Sequence, residues 1–213
     1  MGTVLIQAIG VIVFLVSTML LRWWLKREPT QRVAEWTSRI SHLLFHLCLF
    51  WPFLAGSLYT GLDRFDEIVG LRPLPFPRVW DAVGAVMLAT GIGLAVLSFK
   101  ALGIQGKGAP SFILVKQIVA DGLYKHSRNP LALGWYLFCL GLSLLAGSTY
   151  LTLYAALGLM PAHLFYLKQF EELELEIRFG ESYRRYKQTV PFLCPRLNAT
   201  RSDTWAAREP PRP

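Results

Sequence analysis

Charged residues are scarce in this chain: Asp, Glu, Lys and Arg make up 17% of its 213 residues against 53% hydrophobic, and the mean hydropathy is +0.37. An ordinary soluble domain carries about 25% charged residues, so that class is excluded. Cysteine is scarce too. Cys48, Cys139 and Cys194 leave at least one unpaired, two of them lie in apolar runs, and neither a disulfide framework nor a Cys-x-x-Cys metal site can be built. Among four histidines, His42 and His46 stand four apart like a metal pair, but no third ligand lies near them in sequence, so no metal is expected. Gly103-Ile104-Gln105-Gly106-Lys107-Gly108 fits neither the Walker nor the dinucleotide glycine spacing and reads as a flexible loop. There is no internal repeat.

Long apolar runs are what the chain does have. Val4 to Leu21 is broken only by Gln7, Ser17 and Thr18; Leu43 to Leu62 and Ala82 to Phe99 follow; Leu131 to Leu167 is an uncharged stretch of 37 residues. At about 1.5 Å per helical residue, the first three each match a bilayer and the last holds two crossings. Ala146-Gly147-Ser148-Thr149 near its middle supplies turn chemistry for a helical hairpin. The expected fold is therefore all-α: a polytopic membrane helical bundle of about five transmembrane helices with a C-terminal cytoplasmic helical arm. Gly84, Gly91 and Gly93 are expected to let the third helix pack closely; a substrate channel along that face is the alternative.

Charge follows the same plan. Arg22, Lys26 and Arg27 come after the first run rather than before it, so it reads as a retained anchor with its N-terminus outside. Segments 22–39, 100–130 and 168–213 then lie inside with nineteen of the 22 Lys and Arg residues, leaving Arg64, Arg72 and Arg78 outside. That asymmetry accounts for the net +8 without nucleic acid, and the expected location is a bacterial inner membrane. Three regions are expected: 1–99, an N-terminal three-helix membrane region; 100–195, a catalytic core of loop, hairpin and amphipathic arm; and 196–213, a disordered tail. The arm should open with a helix, Phe170 to Phe179, in which Glu174 and Arg178 pair and which Gly180 stops.

Two constellations can carry chemistry. Asp121 to Pro130 runs into the fourth membrane helix, with Asn129 as N-cap and Pro130 as first helical residue. Such a helix end favours a carboxylate or phosphate; Arg128 adds charge, and Tyr124 adds a ring and a hydroxyl. The plainer alternative is a capped helix with snorkelling cations. The second constellation is the acidic run after the fifth span, where adjacent Glu171 and Glu172 point about 100° apart, so one can face the bundle and accept hydrogen bonds from a ribose diol or ammonium group. A solvated charged helix is the alternative. His163, beside Pro161, either hydrogen-bonds an acceptor or is a neutral side chain bonded to the carbonyl that Pro161 frees, the latter preferred.

Gly122-Leu123-Tyr124, Arg128-Asn129-Pro130, Gly134, Glu171-Glu172, Phe179-Gly180, Tyr183, Tyr186 and Val190-Pro191 stand in the order and spacing of a known family. Over roughly residues 103 to 195 the chain resembles the membrane-embedded methyltransferases that include the isoprenylcysteine carboxyl methyltransferases and phospholipid N-methyltransferases. The resemblance implies S-adenosylmethionine as cofactor, held by Lys116, Gln117, Ile118, Val119, Tyr124, Arg128, Asn129, Pro130, Leu131, Ala132, Glu171 and Glu172. It implies a small lipophilic or lipid-linked acceptor, a carboxylate, thiol or amine, reached from the membrane lipid, with His163 and Lys168 as its candidate contacts. The isoprenylcysteine enzymes carry His, Tyr and Arg where Asn129, Ala132 and Leu167 stand here, so the acceptor stays open. No residue is an obvious general base. A sterol-reductase-like NADPH enzyme and a non-catalytic membrane partner protein are the competing readings.

Overall fold

The computed structural model describes residues 2–58, 66–67, 69–72, 74, 77–108 and 114–195. The end of the second apolar run, Leu62, and the tail 196–213 expected to be disordered lie outside the described residues. Within them the chain is helical, and no strand occurs.

Helix α1 spans Gly2–Arg27, α2 Gln31–Ser57, α3 Pro77–Ile104, α4 Pro130–Leu145, α5 Thr149–Phe179 and α6 Glu181–Thr189. Helices α1, α2, α3 and α5, of 26, 27, 28 and 31 residues, are long and apolar enough to cross a membrane. Helix α4, with 16, is shorter than the ~20 residues of an untilted span and forms the hairpin with α5. The bundle of about five helices stands, with one helix marginal. Leu5, Ile9, Ile12 and Leu20 on α1 and Val86, Ile92 and Leu97 on α3 are exposed, as a lipid-facing surface requires, whereas Gln7, Thr18, Ser98 and Ser143 are buried. Thr18 and Ser143 bond their hydroxyls to carbonyls one turn back, Phe14 and Cys139, which satisfies them within their own helices.

Two helices run further than the apolar pattern indicated. Helix α2 reaches back to Gln31, where the Thr30 hydroxyl accepts from the Val33 N–H as an N-cap. Helix α5 does not stop where charges begin at Lys168: the segment expected to open a separate arm continues the membrane helix to Phe179. Gly180, at φ +58°, ends it in a conformation that side chains resist, and α6 turns away. Helix α2 passes through a π-helical turn at His46–Phe50 and α5 through others at Tyr154–Leu159 and Leu167–Glu171. Pro52 and Pro161 follow the first two, and each lacks the N–H that a regular α turn would use.

Helices α3 and α4 touch through glycines. A Cβ on Gly91 would meet the Phe138 nitrogen at 2.5 Å, and one on Gly84 the Gly141 oxygen at 2.9 Å; Gly134 and Gly141 are equally tight from the other side. Gly93, expected to share this role, faces open space. In the hairpin, Gly147 takes φ +66° and the Ser148 hydroxyl caps α5 by accepting from the Leu151 N–H.

Candidate functional site

A cavity of about 540 Å³ opens where the ends of α2, α3, α4 and α5 meet the segment 114–129 and α6. That size suits a small organic ligand. Of the residues selected from sequence, Gln117, Ile118, Val119, Tyr124, Arg128, Asn129, Leu131, Ala132, Glu171 and His163 all line it. Lys116, Pro130, Glu172 and Lys168 do not line it. Lys116 is exposed and donates its N–H to Gly106, Pro130 is buried in the first turn of α4, and Lys168 is half exposed with its ammonium 4.5 Å from the Phe192 ring.

The acidic run divides by partner. Glu172 turns away from the cavity and holds Arg128 at 2.9 Å, Lys187 at 2.9 Å and Lys168 at 3.6 Å. Glu174 forms the expected pair with Arg178 at 2.8 Å, and both side chains are buried. Glu171 lines the cavity and has no ion pair or hydrogen bond with any described residue. A carboxylate left unpartnered at a cavity wall is a group waiting for donors. Glu171 is the last residue of the π-helical turn Leu167–Glu171, which offsets the residues after it, so that Glu172 and Glu174 reach their cations while Glu171 stays on the cavity side.

Opposite Glu171, Asp121 starts a 3₁₀ turn, Gly122–Lys125, with Gly122 at φ +59°. It buries Tyr124, whose carbonyl accepts from the Tyr186 hydroxyl at 2.7 Å. Burial first, and the Glu171 carboxylate next, push the Tyr124 hydroxyl well above its ordinary range, so it remains a donor at any physiological pH. Burial likewise raises Tyr183 and Tyr186. At Lys187 burial opposes the charge, but hydrogen bonds to Glu176 and Glu172 outweigh it and hold the ammonium above its usual value.

The expected N-cap position of Asn129, with Pro130 first in the helix, holds, but the capping bond does not form. Asn129 stands at the cap position of α4, yet its side chain makes no capping bond; its Nδ2 donates to the Phe192 carbonyl at 2.9 Å. The Arg128 N–H donates to Pro191 at 2.9 Å and the Ser127 hydroxyl to Leu193 at 2.9 Å. Three successive carbonyls thus strap the C-terminal segment over the start of α4. Val190-Pro191 makes this possible: Val190 leaves α6 extended at ψ 131°, and the following proline favours that conformation. Arg128, read as added charge for an anion, is instead paired to Glu172 with its ring neighbour Phe192 5.6 Å away.

His163 is also corrected. Its Nδ1 lies 3.0 Å from the Tyr136 hydroxyl rather than on a carbonyl freed by Pro161. Sequence reasoning missed the contribution of α2 altogether: Ser38, His42, Phe45, His46, Phe50 and Trp51 line the same cavity. The signal was present in the i,i+4 pair His42 and His46, but His163, the third histidine lining the cavity, is more than a hundred residues away in the chain.

The fold and the cavity together define an integral membrane protein that holds a ligand-sized chamber at one end of its helices. Residues 79–182 match the family model described as phospholipid methyltransferase. The resemblance read from the motifs is thereby shown over this region. Methanethiol S-methyltransferase 2 of Bradyrhizobium diazoefficiens is 29% identical over 205 residues, covering 90% of this chain and 70% of the relative. Protein-S-isoprenylcysteine O-methyltransferase of Schizosaccharomyces pombe is 34% identical over 76 residues, covering 35% of this chain and 31% of the relative. No solved structure gives a significant match.

Proposed function

We propose that the chain is an S-adenosylmethionine-dependent methyltransferase of the membrane, acting on a small lipophilic acceptor. The observation that carries this reading is Glu171, the one glutamate of the run 171–174 without a cation, in a chamber otherwise walled by aromatic and aliphatic groups. A carboxylate of this kind suits a ribose diol or an ammonium group, and the Tyr124 ring and hydroxyl, Gln117 and Asn129 beside it offer stacking and hydrogen bonds. The cofactor supplies an electrophilic sulfonium methyl. The chain's own residues orient both ligands and exclude water, which is the larger part of what an in-line displacement needs.

The name of the bacterial relative favours a thiol among the three acceptor classes, and that of the yeast relative a carboxylate. The basic bias of segments 22–39, 100–130 and 168–213 supports an orientation with this end of the bundle on the cytoplasmic side. Calorimetric titration of the detergent-purified protein with S-adenosylhomocysteine, and separately with NADPH, tests the reading. Saturable micromolar binding of the first alone is expected; binding of NADPH alone transfers the protein to the reductases.

A further inference from the structure

Two sets of cations at the cavity end of the bundle are treated differently. Arg128, Lys168, Arg178, Arg184, Arg185 and Lys187, just before α4 and on α5 and α6, are each ion-paired to a glutamate. Arg22, Lys26, Arg27, Arg32 and Arg39, where α1 turns into α2, have no ion pair with any described residue. Glu28 and Glu35 are the two carboxylates of segment 22–39, and Glu35 accepts from the Gln31 amide at 3.0 Å. The segment lies outside the residues that match the family model, and none of its five cations lines the cavity. Neither the candidate site nor an ion pair uses this charge.

The cations are set among tryptophans. The Arg27 guanidinium lies 4.0 Å from the centroid of Trp23, and that of Arg39 lies 5.7 Å from the centroid of Trp36. Both rings are exposed, as is Trp24. Tryptophan collects at the headgroup level of a bilayer, so these rings put the guanidinium groups where lipid phosphates lie. On α1 the exposed residues Ile9, Ile12, Val16, Leu20 and Trp23 recur at three- and four-residue steps, and Arg27 stands at the next step. One stripe of the helix is therefore apolar, then aromatic, then cationic. On α2, Arg32, Trp36 and Arg39 likewise share one exposed face. Loop charge alone suffices to orient a helix in a membrane, but it needs no such alignment of tail-like, ring and cationic groups.

We propose that the corner between α1 and α2 binds the headgroup of an anionic phospholipid, with an acyl chain lying along the α1 stripe. The lipid is a ligand of the outer surface, not a methyl acceptor, and the site stands whatever the cavity binds. A zwitterionic headgroup also carries a phosphate, but its ammonium is repelled by a corner with five cations against two carboxylates. An anionic headgroup escapes that repulsion and gains about fivefold in affinity for each nearby Lys or Arg. The bound lipid anchors the helix whose residues Ser38 and His42, on either side of Arg39, line the cavity.

The test uses the full chain reconstituted in phosphatidylcholine vesicles that contain a minor fraction of either brominated phosphatidylglycerol or brominated phosphatidylcholine. Bromine quenches tryptophan on contact, so the two quenching curves together read the preference for one lipid over the other. For the unaltered protein, phosphatidylglycerol is expected to be preferred about tenfold at low salt, and high salt, which screens exposed charges, should reduce that preference. Combining Lys26→Gln, Arg27→Gln and Arg32→Gln leaves two cations against two carboxylates in segment 22–39 and keeps every tryptophan. That variant is expected to bind the two lipids within about twofold of each other. Arg184→Gln with Arg185→Gln, which removes cations already paired to Glu181, is expected to keep the preference within about twofold of normal. Equal quenching of the unaltered protein by the two lipids overturns the proposal, whether or not the variants fold. A preference that survives in the corner variant, or that falls as far in the Arg184 and Arg185 variant, overturns it as well. A preference abolished by inorganic phosphate at unchanged ionic strength assigns the corner to a free anion and overturns the lipid.

Discussion

The two ends of α5 handle buried polar groups in opposite ways. At the Thr149 end the groups around the turn are bonded inside the protein: Asp66 accepts from the Ser148 hydroxyl and from the N–H groups of Thr149 and Tyr150 at 3.4, 3.2 and 2.6 Å, and Gln7 bridges the Pro52 carbonyl and the Tyr150 hydroxyl at 3.0 and 2.6 Å, although the Tyr154 hydroxyl one turn on is buried without a partner among the described residues. Some 30 Å away along the helix, at the Glu171 end, a carboxylate, an imidazole and an indole N–H are left without partners around a cavity. Both ends are rich in polar residues inside an apolar bundle, so composition cannot tell them apart. Unmet groups gathered around one cavity do, because an orphan polar group costs stability and a cavity lets a ligand repay it.

That contrast can be broken experimentally. The largest effect is expected for Glu172→Ala, which leaves Arg128 buried without its partner and should cost about 3 kcal/mol of stability, seen as a fall in thermal midpoint. Glu171→Ala, one residue away, should leave that midpoint in place and weaken S-adenosylhomocysteine binding by roughly 10- to 100-fold in calorimetry, since its carboxylate supports a ligand rather than the fold. Equal melting losses in both variants would erase the distinction between the two glutamates. At the other end, Asp66→Ala should cost about 1 to 2 kcal/mol as a lost helix cap, with ligand affinity unchanged. Gly91→Ala forces a Cβ against the backbone of α4 and should cost about 1 to 3 kcal/mol. Gly93→Ala, in open space, should be neutral or gain a few tenths of a kcal/mol up to about 1 from helix propensity, the smallest change of the set. Chemical denaturation in mixed micelles orders the last three.

Much of the fold was legible in the chain because lipid enforces it. A run such as Val4 to Leu21 must be helical wherever water is absent, and Gly147 and Gly180 punctuate helices by conformations that other residues resist. Ten of the fourteen residues selected for the site line one cavity: Tyr124, Arg128, Asn129, Glu171 and His163 stood out by their own chemistry, and Gln117, Ile118, Val119, Leu131 and Ala132 only through the family resemblance. Choosing between Glu171 and Glu172 was beyond the pattern: a π-helical turn decides which faces the cavity, and nothing in the local sequence announces it. Asn129 looked like a cap by residue type, but a carbonyl from Phe192 competes for its amide, a contact across 63 residues.

The sequence by itself determined that this chain is a bundle of apolar helices suited to a membrane, because apolar run length and helix-stop chemistry act locally, and its motifs carried the likeness to the membrane methyltransferases. Only the tertiary structure decided which polar groups are free. Pairing depends on what packs across the cavity, and so α2, which carries no family motif, supplies His42, His46 and the aromatic wall to a site whose other half lies a hundred residues further along the chain.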